Sequence, residues 1–324
     1  MNAFAWVEPK SLEEASAQLR QGGVLLAGGI DLLTLLKERL MEPPTVINLK
    51  SVKGLKEIQK GPPLRVGALV TLREIAEHEE IRKNYTALAE SALSVASPQI
   101  RNVGTLGGNL CQRPRCWYFR HEEINCLKKG GVACFAVAGN NEYHAIFGGG
   151  PCHIVHPSDL APALIALNAT VVTNKRRMNL EQFFVLPKDN VKAENVLERD
   201  EIVTLVEIPR ESSGMRSAYV KVRERPSFDW ALVGCAVALR LSENGTVFDA
   251  RVVISGVAPI PWRSTEAENV LKGKRITDRL IEETGSAAVQ KATPMTHNAY
   301  KVRLTANTVR WAVAKAVGER SGTA

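Results

Sequence analysis

At 324 residues, with 45% hydrophobic and 23% charged side chains, the chain is too long for one small core and suits two or three globular domains. Its net charge of +8 comes from Lys and Arg interleaved with acids, without a long basic run or an aromatic-basic motif, which favours solvated surface over nucleic-acid binding. No run approaches about 18 apolar residues, and the opening Met1-Asn2-Ala3-Phe4-Ala5-Trp6-Val7-Glu8 has neither a basic leader nor an apolar stretch. The expectation is a soluble cytoplasmic protein with no membrane span, periplasmic only through co-export with a partner.

Ser11-Leu12-Glu13-Glu14 has the form of a capping box and predicts a helix to about Arg20. Val24-Leu25-Leu26-Ala27 reads as a short strand that breaks at Gly28-Gly29, after which Asp31–Lys37 carries helical apolar spacing. A strand, a glycine pair and a helix can aim free N–H groups and a positive dipole end at an anion, although a tight strand-to-helix turn asks for the same glycines. Thr45–Lys50 and Leu64–Val70 read as strands, separated by a turn at Gly61-Pro62-Pro63. Thr71-Leu72-Arg73-Glu74 is a second capping box, opening a helix to about His78; a longer helical pattern runs from Tyr85 to about Ala96, where Pro98 is expected to stop it. Gly104-Thr105-Leu106-Gly107-Gly108-Asn109 supplies a second glycine-pair loop. Two such loops could hold one dinucleotide.

Cysteines follow. Cys111, Cys116, Cys126, Cys134 and Cys152 fall within 42 consecutive residues, at intervals of 5, 10, 8 and 18, and only Cys235 lies elsewhere. Those intervals match neither the Cys-x2-Cys pairs of zinc ribbons nor the tight run of bacterial ferredoxins. In a reducing cytosol, clustered thiols read as metal ligands rather than disulfides, and four thiolates suit either a [4Fe–4S] cluster or tetrahedral zinc. Arg113, Arg115, Arg120, Lys128 and Lys129 either favour the thiolate form or sit on the surface. With few hydrophobic runs in 117–151, this segment is expected to depend on its metal for order.

Asp159 precedes a helical stretch, Ala161–Leu167, either as its N-cap or as a ligand contact. Ala169–Asn174 and Glu201–Pro209 read as strands, and a boundary falls near 209–216. Beyond it lies a meander of Ser217–Glu224, Ala231–Leu241 and Thr246–Val257, the last two joined through Asn244-Gly245, with Cys235 a buried core thiol. Thr265-Glu266-Ala267-Glu268 caps another helix, and helices near 276–292 and 299–318 close the chain, the last burying Val302, Ala306, Val309, Val313 and Ala316. Sheet with helices stacked on it makes this half α+β.

With both glycine loops and the cysteine segment in view, the whole chain resembles the FAD-binding medium subunit of the xanthine dehydrogenase and aldehyde oxidase family of molybdenum hydroxylases. Ala27-Gly28-Gly29-Ile30-Asp31-Leu32 resembles the first flavin loop, with Ile30 where a small hydroxyl residue is usual, so that backbone contacts remain there. Ile100–Asn109 resembles the second loop, Ser158-Asp159-Leu160 the segment whose aspartate meets the adenosine part of FAD, and Lys221 a base near the flavin ring. The resemblance implies an α+β fold, with a two-part PCMH-type FAD-binding domain over 1–210 and a C-terminal domain of antiparallel sheet plus helices over 217–320. It implies flavin-site residues Leu25, Leu26, Ala27, Gly28, Gly29, Ile30, Asp31, Leu32, Thr105, Gly108, Asn109, Asp159, Val203 and Lys221, and no catalytic side chain. The insert, about 111–153, is similar to that of a bacterial branch including a molybdenum aldehyde oxidoreductase and 4-hydroxybenzoyl-CoA reductase. That likeness implies a [4Fe–4S] cluster on Cys116, Cys126, Cys134 and Cys152, and not on Cys111. The implied role is electron transfer from partner [2Fe–2S] centres to FAD and an external acceptor. It implies a small [2Fe–2S] subunit and a large molybdopterin subunit in a heterotrimer or a dimer of heterotrimers. Two rivals are a 4-hydroxybenzoyl-CoA reductase-like direction of electron flow and a non-catalytic, zinc-stabilised assembly subunit.

Overall fold

The computed structural model describes residues 1–318, so the last two residues of the 217–320 unit expected from the sequence lie outside the described residues. Three sheets form the framework, built from mixed helices and strands as the resemblance implies. The first is parallel, with Thr45–Asn48 between Ala5–Val7 and Val24–Leu26. The helix Leu12–Arg20 begins at Ser11, whose hydroxyl accepts from the Glu14 N–H. Glu14 itself accepts from the Lys10 N–H at 2.7 Å, so the reciprocal half of that capping box is displaced by one residue.

The second sheet is antiparallel and carries Ile58–Gln59, Leu64–Gly67, Val203–Ile208, Thr170–Thr173 and Arg177–Asn179 in that spatial order. Its central strand comes from far along the chain, and Leu64 registers with Ile208. Helices Leu72–Glu77 and Thr86–Ser94 pack behind it in a core that includes Ile75, Leu88, Leu106, Leu164 and Val206. Thr71 and Glu74 complete a reciprocal capping box. Pro98 does not merely stop the preceding helix. It occupies the first turn of Pro98–Val103, started by Ser97, whose hydroxyl accepts from the Ile100 N–H, because proline at a helix start loses a donor that has no partner there anyway.

The third sheet is the expected meander: Arg216–Val222, Val233–Leu241 and Val247–Ser255, extended by Trp262–Arg263. Asn244-Gly245 forms its turn, Gly245 taking φ +81°. Helices Thr265–Leu271, Asp278–Ala287 and Tyr300–Val317 stack on one face, burying Val309, Ala312 and Val313. Ser264, not Thr265, caps the first of them.

Between 111 and 159 the regular structure amounts to the helix Trp117–Arg120 and one 3-10 turn, Leu127–Lys129. Its order comes from outside itself. Asn298 donates to the His144 and Ala145 carbonyls at 3.1 and 3.3 Å, and Phe147 stacks on Trp262 at 5.2 Å within the C-terminal core. Lys301 is fully buried and donates to the Tyr143 and Gly256 carbonyls at 2.9 and 2.7 Å.

Burial pulls the Lys301 amine down to about 7, against about 10.4 in an unfolded chain. Between those values the unfolded chain holds a proton that the folded chain gives up, so this group makes stability rise with pH across the interval, and its charging cost is fully present below it. Lys301→Met should remove up to about 1.4 kcal/mol per pH unit of that slope. Urea unfolding of both proteins between pH 7 and 10 reads the difference directly; parallel curves would contradict the assignment.

Candidate functional site

Both glycine loops face one cleft of about 670 Å³, within the range of cofactor sites. The first leaves the parallel sheet at Leu26 and turns at Gly29, which takes φ +77° and starts the helix Ile30–Lys37 without any side-chain cap. Its end N–H groups are therefore left to a ligand or solvent. A Cβ on Gly28 would overlap the Val103 carbonyl oxygen, so the first loop can seat against the entry of the second only as glycine. In the second loop the Thr105 hydroxyl accepts from the Gly108 N–H at 3.2 Å and starts Leu106–Leu110. A Cβ on Gly107 would press on Ala68, whereas one on Gly108 would meet only Thr105 Oγ1 at 3.0 Å and otherwise project into open space.

Leu25, Ala27, Gly28, Gly29, Ile30, Asp31, Leu32, Thr105, Gly108, Asn109 and Val203 line this cleft, Val203 arriving from the second sheet. Leu26 does not; it is buried beneath with Leu36 and Val46. Asp159 and Lys221 stand apart from the glycine loops but together. Lys221 Nζ lies 2.7 Å from Asp159 Oδ2, with both side chains 3% exposed, and Tyr219 donates to Asp159 Oδ1 at 2.7 Å. Asp159 precedes Leu160–Ala166 without capping it; the Ser158 hydroxyl takes that part by accepting from the Ala161 N–H. The capping alternative for Asp159 is thereby removed, and its carboxylate is fixed between the second and third sheets.

Asp31 is the largest departure from expectation. Its carboxylate accepts from the Arg113 backbone N–H at 2.7 Å and pairs with Arg115 and, at 2.7 Å, Arg120. Burial alone would raise its pKa, yet the two guanidiniums hold it below the usual carboxylate value. Four of the five bases of the cysteine segment thus pair with carboxylates, Arg113 and Lys128 with Glu194 at 3.0 and 2.7 Å, while Lys129 donates to the His121 carbonyl. Arg115 and Arg120 line the cleft too, and Arg115 lies 4.4 Å over the Trp230 ring. Sequence reasoning missed these two arginines as cleft residues. The available signal was an acid in the first turn of a helix aimed at an anion, a position that calls for a nearby cation.

Cys116, Cys126, Cys134 and Cys152 line one small enclosed cavity together with Phe119, Phe135 and His144. Cys111 lies outside it, in the wall of the glycine-loop cleft, where burial pushes its thiol up to about 12. His144 Nε2 lies 3.2 Å from Cys116 Sγ. A hydrogen bond from the Cys152 thiol holds Cys134 well below an ordinary thiol. Among the described residues, no three His, Cys, Asp or Glu side chains close on a single point as one metal ion would require. Four thiols on one cavity, with no carboxylate among them, form a soft donor set. A third cavity, of about 280 Å³, shares Cys116 and His144 with the cysteine cavity, shares Arg115 and Trp230 with the cleft, and has Asp159 in its wall.

Comparison with known proteins bears on the same residues. The family described as FAD binding domain in molybdopterin dehydrogenase matches residues 2–211, and CO dehydrogenase flavoprotein C-terminal domain matches 218–316. The chain is 33% identical to the aldehyde oxidoreductase FAD-binding subunit PaoB of Escherichia coli (strain K12), over 98% of this chain and 99% of that one. It is 31% identical to the nicotinate dehydrogenase FAD-subunit of Eubacterium barkeri, over 88% and 84%. A solved carbon monoxide dehydrogenase from Hydrogenophaga pseudoflava superposes with a TM-score of 0.76 at 26% identity, covering 98% of each chain.

The two glycine pairs serve different purposes, and substitution separates them. Gly28→Ala should cost about 1–3 kcal/mol, because its Cβ meets backbone that cannot swing aside. Gly108→Ala should stay within about 1 kcal/mol of the parent, since its Cβ enters the cleft and alanine suits a helix better. Thermal unfolding of the two variants checks this; equal losses would show that Gly108 is packed rather than open.

Proposed function

The chain belongs to the FAD-binding subunits of the molybdenum hydroxylase family of oxidoreductases, and from that premise we propose that it is the electron-transfer flavoprotein of an aldehyde oxidoreductase. The observation that carries the reading is the convergence of Gly28-Gly29 and Gly107-Gly108, from separate parts of the fold, on a single cleft of dinucleotide size. Backbone N–H groups at the uncapped start of Ile30–Lys37 would receive the pyrophosphate, and Gly108, with no side chain, would let it come close to the second loop. Val203 and Leu25 supply an apolar wall. The Asp159–Lys221 pair would fix polar groups at the side of the site facing the third sheet. When bound, FAD supplies redox chemistry that couples one- and two-electron partners; this chain supplies its position and surroundings.

The four thiols of Cys116, Cys126, Cys134 and Cys152 would hold a [4Fe–4S] cluster. Phe119 is buried in the wall of that cavity, while the His144 ring beside Cys116 can donate to its sulfur once the thiol is deprotonated. Aldehyde would be oxidised elsewhere, on a large molybdenum subunit, with a small [2Fe–2S] subunit between.

Two measurements test the reading. Protein made and purified anaerobically should carry about four irons per chain. Serine at any of the four cysteines should lose or convert the cluster, while Cys111→Ser and Cys235→Ser should keep it. Zinc in place of iron, or loss on Cys111→Ser but not on Cys116→Ser, would overturn the ligand set. In the second, the complex with both partner subunits should show substrate-dependent flavin bleaching under anaerobic aldehyde, and the isolated chain should stay oxidised. Equal bleaching by the isolated chain would put the substrate site here.

A further inference from the structure

The cysteine segment and the flavin cleft are joined at one point. Asp31 belongs to the first turn of the helix that the first glycine loop starts, and its carboxylate is occupied by Arg113 N–H, Arg115 and Arg120. Arg120 also donates to the Pro114 carbonyl at 2.8 Å, closing the turn that carries Cys116. Both guanidiniums line the cleft, held to Asp31 through Arg115 Nη1 and Arg120 Nη2, while Arg115 Nε and Arg120 Nη1 are buried without a partner behind that wall. Arg113 lines the cleft as well, as do Glu38 and Glu201, so three cations stand against three carboxylates there and the site is no general trap for anions. What it offers is two guanidinium groups on the cleft wall whose positions Asp31 fixes.

We infer that the cysteine segment completes the flavin site: Arg115 and Arg120, aimed by Asp31, contribute hydrogen-bond donors to the anionic pyrophosphate of FAD, so that order in the segment and flavin affinity are coupled. This deepens the flavin reading above and rests on it. Coupling of this kind is reciprocal, so bound flavin equally favours the ordered segment and retention of its cluster. Asp31 is here a positioning residue rather than the flavin contact that its loop suggests.

The test is fluorescence titration of the deflavinated full chain with FAD, at low and high salt, alongside near-ultraviolet circular dichroism for fold. Arg115→Met and Arg120→Met should each weaken FAD by about tenfold and flatten the salt dependence, whereas Arg120→Lys should recover part of both. Asp31→Asn should weaken FAD while leaving the salt dependence steep, since both cations remain but are no longer held. Cys134→Ser, lacking the cluster, should weaken FAD by a similar factor, and the deflavinated parent should lose iron to a chelator faster than the flavin-loaded one. If the parent binds no FAD, the flavin reading itself fails. If the parent binds FAD and the arginine variants, folded, bind it equally well with unchanged salt dependence, the inference fails alone. A normal affinity in iron-free Cys134→Ser would overturn the coupling.

Discussion

Gly28 against the Val103 carbonyl is the contact on which the site depends. It brings a loop from the parallel first sheet onto a loop that packs upon the antiparallel second sheet, with no side chain between them. Each loop alone is a glycine pair at a strand or helix end, a common and weak feature. Opposed across one cleft, they enclose a volume with the uncapped start of Ile30–Lys37 on one side and Gly108 on the other. The second sheet has to be closed by Val203–Ile208, far along the chain, for this to happen, so the cleft exists only when the whole first domain is folded.

The cysteine segment is built on another principle. It has almost no regular structure of its own and is tied at several anchors: Asp31 on the first loop's helix, Glu194 beneath, Asn298 and Lys301 at the start of the final helix. These ionic and hydrogen-bonded ties are joined by apolar ones, Phe119 and Cys126 packing on Leu35 and Phe147 on Trp262, so the segment shares its core with its neighbours. The cluster proposed for the four thiols would add a covalent means of holding the same segment together. The segment thus sits between the glycine-loop cleft and the C-terminal domain, with Arg115 touching the one and Trp230 of the other.

Features governed by neighbours in sequence were legible. The Thr71–Glu74 capping box, the Asn244-Gly245 turn, the buried stripe of the last helix and the two glycine loops each depend on residues a few positions apart. The helix before Pro98 ends as expected, but the one that Pro98 opens was not legible, because proline follows one helix and begins another with equal ease and only the Ser97 cap reveals the second. Asp159 offered a capping reading that Ser158, one residue earlier, fulfils instead. Asp31 was assigned to the ligand because its partners lie more than 80 residues away, beyond any local pattern. The gathering of Cys116, Cys126, Cys134 and Cys152 without Cys111 is likewise invisible in the spacing, and entered the reading through family likeness alone.

The central claim is that both glycine loops serve a single flavin dinucleotide. Hydrogen exchange on the deflavinated chain, with and without one equivalent of FAD, tests it at the amides concerned. The account predicts that protection rises together at residues 28–31 and 105–109, saturating at one FAD per chain. Protection at one loop only, or at neither while FAD is bound elsewhere, would contradict it.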